Sequence, residues 1–236
     1  MLNVLIYNKL EDKKKYEDNV LDRYIKAQIH NSLDLGWDKE DIILATNFDF
    51  EHMGVKNVEL TNVFKPNGYM NKWFGMAELM GGVLKGEDFW FHDQDNWPTM
   101  KFDFPEFEGH VGGCEYIGTI EWNTASIFVK KDGKNTIDYI TQSAEMNEEY
   151  WKLPQNVNDE TLMSAIRHYG EINSFMSSLN TEYNVGCTHF DKRYAFANKP
   201  VKVFGFKPDI EKDYSIMEDH IDDRLKDIFK LYKLRG

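Results

Sequence analysis

The chain has 236 residues, 42% hydrophobic and 14% aromatic, which is enough apolar material for a sizeable core and excludes a disordered chain. Its net charge of -12 and pI near 5.1 oppose nonspecific binding to nucleic acid or anionic membrane, while leaving room for a local basic groove. Cys114 and Cys187 lie far apart with no metal-ligand spacing and read as reduced thiols of a cytoplasmic protein.

Met1 to Tyr7 is an apolar run too short for a signal peptide, and no apolar segment is long enough to span a membrane. The run Leu2 to Tyr7 predicts a buried first strand. A helix follows from about Tyr16 to Leu35, with Val20, Tyr24, Ala27 and Leu33 at helical spacing and Gly36 as its stop. Asp41 to Thr46 reads as a second strand and Val55 to Leu60 as a short third. After the Asn67-Gly68 turn, Met70, Trp73, Ala77, Met80 and Leu84 trace one helical stripe. Strand, helix and strand then alternate up to Asp95, the pattern of a parallel sheet with right-handed crossovers.

Beyond Asp95 the texture changes. Val111 to Tyr116 and Trp122 to Lys130 predict strands. Thr136 to Trp151 predicts a helix, and Asn158-Asp159-Glu160 opens another that ends at Gly170. Val201 to Phe206 is a late strand, and Ile221, Leu225, Ile228, Phe229 and Tyr232 form the apolar face of a C-terminal helix. No internal repeat or linker interrupts the chain. The expectation is a single α/β domain: a nucleotide-binding half over residues 1–97, and a mixed second half over 98–236.

One stretch organises the rest, Asp88-Phe89-Trp90-Phe91-His92-Asp93-Gln94-Asp95-Asn96-Trp97. In an extended strand Phe89 and Phe91 leave on one side and Trp90 on the other. The same alternation sends Asp93 and Asp95 out together at the strand's end, with Pro98 stopping the pairing. Two adjacent carboxylates resist ionising together, and a divalent cation removes the conflict. Hard oxygen ligands suit Mg2+ or Mn2+, which complete their shells with water and substrate phosphates. Asp-x-Asp by itself equally describes a polar turn; its place at the carboxyl end of a bulky strand, where open α/β sheets bind ligands, favours the site.

Other strand and helix ends supply further candidates. Asn8 follows the first strand, Thr46, Asn47 and Asp49 the second. Asp49 reads equally as a ribose or base contact and as a turn residue. Lys72, at a helix start, suits a phosphate or simple solvation. Asp159 and Glu160 occupy a first helical turn, where the dipole alone would welcome them; as a functional pair they are general-base or sugar-contacting candidates. Asn123-Thr124 could bind hydroxyls. The histidines show no zinc spacing, and His189 is the preferred extra metal ligand against a structural role.

Taken in order, several stretches resemble a known family. Thr46-Asn47-Phe48-Asp49-Phe50-Glu51, Gly54-Val55-Lys56, Asn71-Lys72-Trp73-Phe74 and Phe91-His92-Asp93-Gln94-Asp95 look like small viral and bacterial glycosyltransferases of the GT-A class. The resemblance covers roughly Met1 to Arg167, and more loosely Val201 to Asp209. It implies a Rossmann-like sheet flanked by helices, and a nucleotide-sugar donor, UDP-linked, held through Asn8, Thr46, Asn47, Asp49, Lys72, Asp93 and Asn123. It also implies Mn2+ or Mg2+ on Asp93 and Asp95, and Asp159 and Glu160 beside the transferred sugar. One departure stands out: the family's late metal-binding histidine before Lys-Pro is absent from Val203-Phe204-Gly205-Phe206-Lys207-Pro208. The acceptor expected is a glycan hydroxyl, with a hydroxymethylated base in phage DNA second, in view of Lys226, Lys230, Lys233 and Arg235. The location expected is cytoplasmic, in the host if the source is viral. A sugar-phosphate nucleotidyltransferase is the first alternative, although Asn8-Lys9-Leu10-Glu11-Asp12 lacks a glycine-rich loop; a non-enzymatic carbohydrate-binding protein is the second.

Overall fold

The protein is represented by a computed structural model that describes residues 1–9, 18–116, 122–147, 149, 158–169 and 175–235. Its centre is an eight-stranded sheet in the order β3-β4-β2-β1-β5-β8-β7-β9. The strands are β1 (Leu2–Tyr7), β2 (Ile42–Thr46), β3 (Glu51–His52), β4 (Val55–Glu59), β5 (Phe89–His92), β7 (Val111–Glu115), β8 (Trp122–Val129) and β9 (Met176–Leu179). β4, β2, β1 and β5 run parallel, as the strand-helix alternation predicts, and β8 then joins antiparallel to both β5 and β7. The first half and the start of the second therefore share one sheet.

The alternation read from the sequence is the alternation observed. Val4, Phe89 and Phe91 face one core with α2 (Asn71–Met80), α3 (Lys134–Met146) and α4 (Asp159–Tyr169). Leu5, Tyr7 and Trp90 face the other, against Ile25 and Ile29 of α1 (Asp18–Asp34). Gly36 ends α1 as expected: at φ 91° it takes the left-handed conformation open to glycine, and Trp37 N donates to Ser32 O at 3.1 Å across the last turn. The predicted starts and ends at Tyr16, Trp151 and Gly170 lie outside the described residues.

The late strand expected over Val201 to Phe206 is present as β11 (Val203–Gly205), but the small second sheet it forms, β10-β11-β6, is not predicted. Its partners β6 (Asn96–Pro98) and β10 (Val185–Gly186) are too short for any periodicity to register. Pro98 thus does not stop pairing. It sits opposite Val203 in β6, an edge strand, where a residue lacking an N–H is tolerated. Trp97, fully buried, anchors this sheet in a third core with Phe204, Phe206 and the apolar faces of α6 (Glu211–Met217) and α7 (Asp223–Leu231). Between them, α5 (Phe190–Phe196) packs against β10.

Candidate functional site

β5 ends at His92, and the chain turns through Asp93-Gln94-Asp95 into β6. The two carboxylates therefore converge through a turn rather than through strand alternation. Asp93 N donates to Ala125 O at 2.8 Å and Asn96 N to Asp93 O at 3.0 Å, which fixes the turn against β8. From the other side α1 holds it: Gln28 Nε2 donates to Gln94 O at 2.8 Å and Asn96 O at 2.9 Å, and Asn31 Nδ2 to Pro98 O at 3.0 Å. Below it His92 stacks on Trp90 and bonds Asn3 Oδ1 at 3.0 Å. Burial pushes the His92 imidazole down to about 3, so the ring is neutral and structural.

Beside the turn sits Lys72. Its Nζ reaches Asp93 Oδ2 and Asp159 Oδ2, each at 3.1 Å, and donates to Thr124 O and Oγ1, each at 3.0 Å. The Thr124 carbonyl is free for this because the β7–β8 ladder slips between Cys114–Asn123 and Gly113–Ile127. Burial disfavours the ammonium, but Asp159 and Asp93 outweigh it and raise its pKa. Asp159 also accepts from Trp73 Nε1 at 3.1 Å. Lys72 and Asp159 are both buried, so this is an internal ion-pair network.

Asp93, Asp95, Asn96, Tyr116, Asn123 and Glu160 line a cleft of about 260 Å³, closed on its far side by Asn184, Gly186, Arg193 and Gly205. Burial pushes the Asp93 carboxyl up to about 7, with Asp95 adding to the rise and Lys72 opposing it. Asp95 is raised too, first by burial, while Lys207 holds it down. Tyr7, at the end of β1, has a buried hydroxyl with no partner among the described residues, and its pKa is raised by burial and then by both aspartates. Glu160 accepts from Tyr116 Oη at 2.9 Å and from Asn158 Nδ2 at 3.2 Å; burial raises its pKa. Asn158 itself caps α4, accepting from Thr161 N at 3.0 Å.

No family model matches the sequence, and no curated protein does. Solved structures match its shape. A galactosyltransferase, LgtC, in complex with donor and acceptor sugar analogues, is 11% identical with a TM-score of 0.61, covering 99% of this chain and 95% of that one. The glycosyltransferase GlyE of Streptococcus pneumoniae TIGR4 is 11% identical with a TM-score of 0.60; all of this chain aligns, to 61% of GlyE. A glycosyltransferase involved in glycosylating the major capsid protein of PBCV-1 is 10% identical with a TM-score of 0.54, covering 87% and 93%. The fold is that of the GT-A glycosyltransferases.

In this GT-A frame the candidates from the sequence divide. Asp93, Asp95, Asn123 and Glu160 meet in the cleft, and Lys72 and Asp159 lie directly behind it. Asn123 spends its Oδ1 on Ala125 N at 3.0 Å and keeps its amide for the cleft. The strand-end group is separate from the cleft lining. Asn47 clasps Lys9, accepting from its N at 2.8 Å and donating to its O at 2.9 Å. Thr46 Oγ1 bonds Phe48 O, Asp49 is exposed, and Asn8 has both side-chain polar atoms buried without a partner among the described residues. His189 is exposed at the start of α5 with φ 56°, outside the cleft lining that its neighbours Cys187 and Thr188 join. Among the described residues no third His, Cys, Asp or Glu completes a metal-holding group with the two aspartates.

The reading of the sequence missed Tyr116, Asn184 and Arg193 in the cleft, and Gln28 and Asn31 behind the turn. The last two carried a signal: α1 has buried Gln28, Asn31 and Ser32 amid its apolar positions, and buried polar side chains must have partners. Of the four basic residues read as a DNA contact, three are engaged locally: Lys226 on Asp223 at 3.7 Å, Lys230 on Asp227 at 3.4 Å and Arg235 on Glu211 at 2.6 Å.

Proposed function

We propose that the protein is an enzyme that transfers a sugar from a nucleoside diphosphate, UDP, to a hydroxyl of a glycan. The observation that carries this is the convergence of Asp93, Asp95 and Glu160 on one cleft at the carboxyl end of β5, in a fold whose solved neighbours are glycosyltransferases. Residues 1–97 form the donor side, with Asn8, Thr46, Asn47 and Asp49 taking the nucleoside, and residues 98–236 supply the acceptor side.

Asp93 and Asp95 fit a divalent cation, Mn2+ or Mg2+. Both offer hard oxygens into the cleft, and burial, which raises both pKa values, disfavours their charged forms in a way that a bound cation would offset. With only these two protein ligands, diphosphate oxygens and water would fill the remaining positions; His189 would need a rearrangement of its exposed loop to join them. Such a cation supplies electrostatic stabilisation of the departing diphosphate. The chain does the rest. Lys72 fixes Asp93 in place and keeps positive charge behind it. Glu160 presents a carboxylate to the sugar, where the new bond from the acceptor oxygen to the anomeric carbon forms as the bond to the diphosphate breaks. The proton of the acceptor hydroxyl passes to Glu160 or leaves with the diphosphate.

A glycan is favoured over DNA because the C-terminal lysines already have carboxylate neighbours. A cytoplasmic location agrees with two free thiols, and among the described residues no helix is long and apolar enough to cross a membrane. The test is thermal stabilisation by a panel of nucleotides with and without Mn2+. UDP with Mn2+ should stabilise the protein, and Asp95→Ala should remove the effect. If no nucleotide gives metal-dependent stabilisation, the reading fails. Transfer from labelled UDP-sugars to oligosaccharides and to hydroxymethylcytosine DNA identifies the acceptor.

A further inference from the structure

The far wall of the cleft is built differently from the near one. In the small sheet, Asn96, Gly205 and Gly186 stand side by side across β6, β11 and β10. The two glycines leave a bare floor: a Cβ on Gly205 would come within 2.9 Å of Asn96 Oδ1 and 3.3 Å of Asn184 Oδ1, and one on Gly186 within 3.0 Å of Arg193 Nη1. Around that floor the polar groups are unsatisfied. Among the described residues, Asn184, 1% exposed, has neither Oδ1 nor Nδ2 bonded, and Asn96 Nδ2 is likewise buried and unbonded. Arg193 is 1% exposed. Its guanidinium is held by the Asn184 carbonyl, which accepts from Nη2, and by the Tyr116 ring 5.1 Å from Cζ, while Nε and Nη1 have no acceptor among the described residues. Among the described residues no carboxylate forms an ion pair with it; Glu160, whose charge it feels, is already bonded to Tyr116 and Asn158.

A buried, always-charged guanidinium without a counter-ion is costly, and neutral hydroxyls would satisfy its N–H groups without balancing its charge. Asn96 Nδ2 and Asn184 add donors, and Asn184 Oδ1 adds one acceptor for a hydroxyl. We propose that this wall is a subsite for a sugar unit bearing a carboxylate, and that Arg193 reads that carboxylate. The assignment rests on the sugar-transfer reading and narrows its substrate to uronic-acid-type sugars. The same oxyanion chemistry could come from the donor's diphosphate, so the experiment separates the two sources.

Binding of glucuronate and galacturonate is compared with glucose and galactose by calorimetry or ligand-observed NMR, and UDP is compared with uridine, each on the wild type and on Arg193→Gln. Uronates should bind at least about tenfold more tightly than hexoses, the difference expected of one charge-assisted hydrogen bond. Arg193→Gln should erase that preference and leave the UDP-to-uridine ratio unchanged. Equal affinity for uronate and hexose overturns the proposal. So does a variant whose defect is confined to UDP, which would make phosphate the occupant. If Arg193→Gln does not fold, Gly205→Ala decides: it fills the floor beside Asn96 and Asn184 and should weaken uronate and hexose binding alike by at least about tenfold, whereas unaltered binding of both overturns the assignment. Because the uronate arm contains no nucleotide or metal, its failure is distinguishable from failure of the Asp95 test.

Discussion

Two basic side chains are buried at the same cleft, Lys72 behind it and Arg193 in its far wall, and their surroundings are opposite. Lys72 has two carboxylates, a carbonyl and a hydroxyl within 3.1 Å. Arg193 has one carbonyl and an aromatic face, with Nε and Nη1 idle. The Lys72 corner is complete before any ligand arrives, so its role is to set geometry and charge. The Arg193 wall is incomplete, and a protein tolerates an unsatisfied buried group mainly where something else will satisfy it. In one pocket, the partner count separates scaffold from reader.

The sharpest way to break this contrast is to remove each cation. Lys72→Met strands Asp93 and Asp159, and loss of one partner from a buried ion pair costs about 3–5 kcal/mol. Chemical denaturation should register a loss of that size. Arg193→Met, of similar length, removes a charge that has no counter-ion among the described residues, and should cost no more than about 1 kcal/mol. Equal losses for the two variants would end the distinction between the walls.

Next in size is the pH response of the near wall. A cation or a donor carrying one binds the ionised Asp93, whose carboxyl sits at about 7 because burial and Asp95 raise it. Below that value a proton must leave before the cation can bind. The affinity for UDP with Mn2+ should therefore fall as pH drops through 7, by up to about tenfold per unit, and level off above it. Uronate binding at Arg193 should not follow this curve, since guanidinium does not titrate there. A flat UDP–Mn2+ profile between pH 5 and 8 would count against Asp93 as the proton-competing group.

How far the sequence carried the argument follows from the same physics. Where side chains repeat with a strand or helix period, the elements were legible: β1 with its apolar run, β5 with its two-sided aromatics, α1 up to Gly36, and α4 from its Asn158 cap. The apolar run Val201 to Phe206 showed β11, but strands of two or three residues carry no period, so its partners β6 and β10 were invisible, and with them the wall the three build. Asp93 and Asp95 stood out because two like charges adjoin a buried strand. Lys72 was visible only as a helix-start cation; its bonds to Thr124 and Asp159 depend on a ladder slip and on residues 52 and 87 positions away. Arg193 lies between Lys192 and Tyr194 in a seven-residue helix and reads locally as a surface base. Only the fold reveals that it is inside.

The smallest expected effect tests the logic most directly. Asn184 sits at the rim of the small sheet, buried, with a side chain that bonds nothing among the described residues. Its backbone carbonyl, not its amide, holds Arg193, so Asn184→Ala leaves that anchor in place. Removing a satisfied buried amide costs stability; removing an unsatisfied one also removes its desolvation penalty of about 1–3 kcal/mol, which offsets the lost packing. The net change in unfolding free energy should lie within about 1 kcal/mol of zero, with either no fall or a rise in melting temperature. Uronate affinity should nonetheless drop, because the hydroxyl that Asn184 Oδ1 and Nδ2 would pair loses both partners. A variant destabilised by several kcal/mol, with uronate binding intact, would mean that the Asn184 side chain is packing rather than recognition.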